Sequence, residues 1–130
     1  MQDHYHAVVW IDHKQARIFH FNAEDADGIV VKPEHPVRDY HRKERGTGKH
    51  DPENQKFLED VTRAIADAGA VLICGPSTEK HELVKHIEKT HPRLLVHIEG
   101  VESVDHPTDA ELVAYARRYA KAADRMKPLT

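Results

Sequence analysis

The sequence predicts an α/β fold: a mixed five-stranded sheet with helices packed on it. Three observations carry that expectation. The first part of the chain holds three short runs of β-branched and aromatic residues separated by turn residues. The remainder alternates stretches of helical apolar spacing with short, continuous apolar runs. No apolar run approaches the roughly 20 residues that a membrane-crossing helix needs, so the apolar residues are expected to build an interior core, with no membrane partner. At 130 residues the chain fits one domain, 1–130.

AVVWID (Ala7–Asp12) is almost uninterrupted apolar and β-branched, which suits a strand buried on both faces. His13-Lys14 makes a short turn, and Gln15–Ala23 follows as a second strand. Asp27-Gly28 is a turn signal ahead of a third, Gly28–Pro33. Residues 34–50 fit neither period, carry Pro36, Gly46 and Gly48, and read as a long loop, a length that is uncommon unless functional. Asp51 as cap, Pro52 at the first helical position and Glu53 beside it mark a helix start. Phe57, Leu58, Val61, Ala64, Ile65 and Ala68 supply its inner face, and Gly69 its predicted end. Ala70–Gly75 reads as a buried strand, Pro76–Pro92 as a second helix with Leu83, Val84 and Ile87 inward, and Leu94–Gly100 as a fifth strand. Thr108 with Glu111 forms a capping-box pattern that opens a third helix lined by Leu112, Val113, Ala116, Tyr119, Ala120 and Ala123. The order strand-strand-strand-helix-strand-helix-strand-helix is that of ribonuclease H-like folds.

Composition narrows the function. The chain is 32% charged with a formal net charge of −3, so it is no polycation that would coat nucleic acid as a whole. Charge is segregated, however. Arg38–Lys49 holds five Lys/Arg against two acids, and the last helix is expected to carry Arg117, Arg118, Lys121, Arg125 and Lys127. Acids dominate Glu99–Glu111. One cysteine, Cys74, excludes an internal disulfide and fits a reducing compartment, and the N-terminus has no secretory pattern, so a cytoplasmic location is expected.

The candidate chemistries thin out on spacing. Around Gly46-Thr47-Gly48-Lys49, a phosphate-binding loop needs a glycine at position 43, which is Lys43, and a hydroxyl residue at 50, which is His50. A dinucleotide fingerprint needs a third glycine where Asp51 stands. A two-metal nuclease would use Asp12 with Glu53, Glu59 or Asp60, but the fourth strand ends Ile73-Cys74-Gly75 without a carboxylate. Asp12 reads more simply as a turn residue. His81 and His86, five apart, do not share a helix face, His4 and His6 offer only weak adventitious metal binding, and no Cys/His pair has zinc-site spacing. Neither a metal nor another cofactor is expected, and Cys74 is expected to be a small buried residue. The basic loop remains. Arg42, Lys43, Arg45 and Lys49 can follow a phosphate backbone, Tyr40 and His41 can stack on unpaired bases, and Arg117 with Lys121 form a weaker basic stripe.

Three stretches carry a family resemblance: VWIDHKQARIF (Val9–Phe19), LICGPSTEKHELVKHI (Leu72–Ile87) and HPTDAELVAYARRY (His106–Tyr119). With the element order, they resemble the middle domain of the archaeal and eukaryotic class-1 peptide release factors and of Pelota. More closely, they look like the small stand-alone bacterial proteins called translational machinery proteins. The resemblance implies a ribonuclease H-like fold without nuclease chemistry, working at the ribosome or on structured RNA in translation. In release factors the loop after the third strand carries Gly-Gly-Gln, which promotes hydrolysis of peptidyl-tRNA. Here it reads Gly46-Thr47-Gly48-Lys49, with the glycine pair split and the glutamine absent. The expectation is therefore a binding domain rather than an enzyme, whose tip residues Arg42, Lys43, Arg45, Gly46, Gly48 and Lys49 contact RNA. Peptidyl-tRNA hydrolysis by a divergent tip, a metal-dependent nuclease and a protein-interaction module are the alternatives.

Overall fold

The computed structural model describes residues 5–33 and 52–126. Five strands form one mixed sheet: β1 (His6–Ile11), β2 (Ala16–Phe21), β3 (Ala26–Val31), β4 (Ala70–Gly75) and β5 (Ile98–Ser103), in the order β3-β2-β1-β4-β5. The first three are an antiparallel meander, whereas β4 runs parallel to both β1 and β5. Among the described residues three α-helices pack with the sheet: α1 (Pro52–Ile65), α2 (Glu79–Thr90) and α3 (Asp109–Met126). The predicted α/β architecture, a mixed five-stranded sheet with helices packed on it, and the element order stand.

The meander's turns are made by side chains that mimic backbone. Asp12 Oδ1 accepts the Lys14 and Gln15 amides at 2.8 and 2.9 Å, and Asn22 Oδ1 accepts those of Glu24 and Asp25 at 2.9 and 2.7 Å. Asp12 is thus the turn residue its sequence position suggested.

Strand alternation sends side chains to two apolar layers. Ala7, Val9, Ile11, Ile18, Val71 and Ile73 meet Phe57, Leu58, Val61 and Ile65 of α1 and Leu83 and Ile87 of α2. On the opposite face Val8, Trp10, Phe21, Leu72 and Cys74 meet Leu112 and Ala116 of α3. Covered on both sides, β1 and β4 read as continuous apolar runs, which is why they were legible. β3 is an edge strand and mostly exposed, with Ile29 and Val30 about half accessible.

Several boundaries move. Leu94–His97, expected to begin the fifth strand, belongs instead to a 3-10 segment over Pro92–His97. Pro92 suits the first turn of that segment, Leu94 turns inward and Val96 outward, and extended backbone starts only at Ile98. The second helix begins at Glu79 rather than Pro76, with Thr78 O accepting the His81 and Glu82 amides at 2.9 and 3.2 Å. The first helix ends at Ile65, before Gly69, whose amide instead donates to Tyr5 O at 2.8 Å. The Thr108 capping box is present as expected: Glu111 N–H donates to Thr108 Oγ1 at 3.1 Å, and Thr108 N–H to Glu111 Oε1 at 2.9 Å.

Candidate nucleic-acid interface at the carboxyl end of the sheet

The predicted tip residues Arg42, Lys43, Arg45, Gly46, Gly48 and Lys49, and the cap Asp51, lie outside the described residues. The ends of that loop do not. Val31, which closes β3, pairs with Ala16, and Ala16 pairs with Ile11, so the chain leaves the sheet where β1 ends. It re-enters at Pro52. Helix α1, at about 1.5 Å per residue, spans roughly 21 Å, the length of one strand of this sheet. Just past its end, Ala68 N–H donates to Ile65 O and Gly69 N–H to Tyr5 O, beside the start of β1. Its N-terminus therefore lies at the carboxyl end of β1, and both anchors of the loop stand at that end.

The parallel connections bring two more helix starts to the same place. β4 ends at Gly75 and α2 starts at Glu79; β5 ends at Ser103 and α3 starts at Asp109. Three helix N-termini, each a positive dipole end, stand at the end of the sheet that carries the loop's two anchors. In open α/β sheets ligands sit outside the carboxyl ends of the strands where the chain's direction of travel reverses. Here that reversal falls between β1, which leads to β2, and β4, which leads to β5.

The rim of this end is rigid. Trp10 is buried at the centre of the sheet, and its Nε1–H donates to Asp105 O at 2.6 Å, with Val104 O at 3.2 Å. The Arg17 guanidinium lies 4.7 Å from the Trp10 ring centroid, bonds Asp109 Oδ1 at 2.7 Å and donates to Pro107 O at 2.9 Å. Residues 104–109 are thereby fixed against β1 and β2 ahead of α3. Sequence reading missed Arg17, whose partners lie 90 residues or more away.

A second feature is the pair His13 and Glu79. Glu79, the first residue of α2, is 1% exposed, and its Oε1 lies 2.9 Å from Nδ1 of His13 on the β1–β2 turn. The helix dipole favours an anion at that position. Beside it Lys80 is also buried and donates from Nζ to Ser77 O.

The weaker basic stripe is placed elsewhere. Arg117 donates from Nε to Asn22 O at 2.9 Å and from Nη2 to Asp25 O at 3.2 Å, clasping the β2–β3 turn at the amino end of β1. Lys121 follows one turn later and is exposed. Arg117 thus stands at the opposite end of β1 from the loop anchors Val31 and Pro52. Arg117 has a structural task that its position in the sequence did not reveal.

Among the described residues no group of three or more His, Cys, Asp and Glu side chains is arranged to hold a metal ion, and no helix is long and apolar enough to cross a membrane. Cys74 is buried. Burial, partly offset by Arg17, pushes its thiol up to about 12, and Sγ donates to Val9 O at 3.3 Å.

No family model matches the chain, and no curated protein sequence matches it. Solved structures do. Pelota from Archaeoglobus fulgidus superposes with a TM-score of 0.64 at 11% identity, over 92% of this chain and 33% of its own. The archaeal translation termination factor aRF1 gives 0.59 at 16%, over 93% and 38%. Dom34 from S. cerevisiae, a translation termination-like factor involved in RNA quality control pathways and interacting with Hbs1, gives 0.56 at 11%, over 94% and 36%. The chain is similar in fold to these proteins and spans about a third of their length.

Proposed function

We propose that this protein is a non-enzymatic, RNA-binding domain that works in translation, in association with the ribosome or with structured RNA. The observation that carries the reading is where the basic loop is anchored. Five Lys/Arg within Arg38–Lys49 leave and rejoin the fold at the end of the sheet where three helix N-termini converge. Polyanion affinity comes chiefly from counterion release by such cations, and helix N-termini add amides and a favourable potential for phosphate oxygens. The likeness in fold to Pelota, to an archaeal termination factor and to Dom34 supports the same direction. The loop's composition argues for binding rather than chemistry, since the glycines are split and no glutamine follows them.

The test is sedimentation with ribosomes on sucrose gradients at low salt, together with affinity for a labelled RNA. The triple variant Arg42→Ala, Arg45→Ala, Lys49→Ala is expected to lose ribosome co-sedimentation. It should also lower the slope of log affinity against log salt by about 2 for single-stranded RNA. Wild-type protein that stays in the soluble fractions and binds no RNA overturns the reading. So does a triple variant that binds as well as wild type.

A further inference from the structure

We propose that His106 is a stacking platform for an unpaired nucleobase, mounted on the buried ring of Trp10 at the carboxyl end of the sheet. The inference rests on the RNA-binding reading above and deepens it, adding a base contact to the backbone contacts of the loop.

The backbone is pinned on both sides of this histidine. The carbonyl of Asp105, the residue before it, accepts from Trp10 Nε1–H at 2.6 Å. The carbonyl of Pro107, the residue after it, accepts from the Arg17 guanidinium at 2.9 Å. Trp10 is buried and the Arg17 side chain is only 14% exposed, so both donors are themselves fixed. The imidazole is held a second time through its ring. Its centroid lies 5.0 Å from that of Trp10, with the planes tilted by 57°, and Nδ1 stands 2.9 Å from Asp105 Oδ1. Even so, the His106 side chain is 66% exposed. A ring that is oriented before binding, yet open to solvent, loses little side-chain freedom when a second ring settles on it.

The surroundings select a base rather than a phosphate. Asp105 and Asp109 are both exposed beside His106, and Asp109 Oδ1 already meets the Arg17 guanidinium at 2.7 Å. Carboxylates so placed repel a phosphate, whereas an uncharged base feels no such repulsion and has a π-face whatever its identity. Histidine is among the side chains on which splayed-out bases stack. On the side toward the loop the neighbouring surface is apolar. Arg17 pairs with Val30, which is about half exposed, and the next residue, Val31, is the loop's anchor. Trp10 pairs with Arg17, so that anchor lies two strands, or about 10 Å, from the mount. A single strand whose phosphates follow the basic loop can therefore set a neighbouring base on His106.

The experiment measures affinity of the full chain, across a salt series, for a fluorescently labelled oligouridylate and for a ribose-phosphate oligomer of the same length without bases. Wild type is expected to bind the oligouridylate more tightly. His106→Ala should lower that affinity about 10-fold at every salt concentration and leave binding to the base-free oligomer unchanged. The slope of log affinity against log salt should stay as in wild type, because a stacked base releases no counterion. His106→Phe, which keeps a ring, should restore the affinity. His106→Lys, which adds a cation but no ring, should stay weaker than wild type. Circular dichroism checks the fold of each variant, and should His106→Ala fail to fold, the contrast between His106→Phe and His106→Lys decides alone. His106→Ala that binds as tightly as wild type, a lower salt slope in that variant, or His106→Lys that binds more tightly than wild type overturns this inference and leaves the RNA-binding reading intact. Wild type that binds neither oligomer overturns both.

Discussion

Nε2 of His86 on α2 stands 2.8 Å from Oε1 of Glu59 on α1, and this contact joins the two helices that cover one face of the sheet. His86 is buried, and its Nδ1 faces Gln55 Oε1 at 3.2 Å. Glu59 also accepts from Arg63 Nε at 2.8 Å and lies 3.5 Å from His91 Nε2. Burial alone would raise the Glu59 carboxyl. The hydrogen bonds from His86 and Arg63, with the charge of His91, outweigh it and hold the group below its usual value. The sign of the linkage follows: a carboxylate depressed in the folded state adds stability above its unfolded value and loses it as pH falls through the lowered one. We expect the urea midpoint of wild type to drop with acidification below about pH 4.5, and Glu59→Gln to show less of that drop. His86→Leu, which leaves Glu59 short of a partner, is expected to cost about 1–3 kcal/mol in urea denaturation at neutral pH.

Trp10 yields the second prediction. Its indole N–H reaches Asp105 O and Val104 O, and Arg17 covers its ring, so one side chain fixes the approach to α3. Trp10→Phe keeps most of the apolar volume and removes the donor. The expected loss is about 1–2 kcal/mol in equilibrium urea unfolding followed by far-ultraviolet circular dichroism. A variant as stable as wild type would show that the carbonyls at 104 and 105 are satisfied without the indole.

Much of this fold was written locally. β1 and β4 are apolar on both faces because helices lie on both, and the Thr108–Glu111 box needs only a three-residue spacing. Leu94–Val96 misled for the opposite reason. Its apolar run matches a strand, but Pro92 winds the backbone into a 3-10 segment, and Val96 is 82% exposed. The strand that follows, IEGVES, has two acids and a glycine and is a weaker local signal than the run before it. At the candidate site, the start of α1 was legible from Pro52 at the first helical position, whereas Asp27-Gly28, read as a turn ahead of the third strand, lies within β3. The pairing of His13 with Glu79, 66 positions apart, was not legible, nor was the clasp of Arg117 on the β2–β3 turn. Such pairs are set by sheet order, and no periodicity within either segment encodes it.

The close approach of β4 to β1 predicts a hierarchy among glycines. A Cβ at Gly75 would stand 2.2 Å from the carbonyl oxygen of Ile11, a backbone atom held in the parallel ladder. A Cβ at Gly28 would stand 2.3 Å from the ring of Phe19, a side chain beside the edge strand. A ring can rotate away, whereas a ladder carbonyl moves only with its strand. Gly75→Ala is expected to cost about 3 kcal/mol and Gly28→Ala clearly less, compared by thermal and urea unfolding. Equal costs would mean that β4 yields as easily as a side chain.

Cys74 provides a test of the core itself. The thiol is fully buried on β4, bonded to Val9 O, and burial pushes it up to about 12, so almost no thiolate exists at neutral pH. Reaction with an aromatic disulfide reagent then requires the β1–β4 layer to open. We expect native protein to react at least about 100-fold more slowly than urea-unfolded protein, with a rate that follows the population of the open state. Substitutions that loosen the layer make the sharper comparison. Gly75→Ala, one residue away and strained against β1, should speed modification markedly, whereas Gly28→Ala at the far edge should leave it nearly unchanged. A native thiol that reacts as fast as the unfolded one would place Cys74 at an accessible surface, and the packing assigned to the α3 face of the sheet would be wrong.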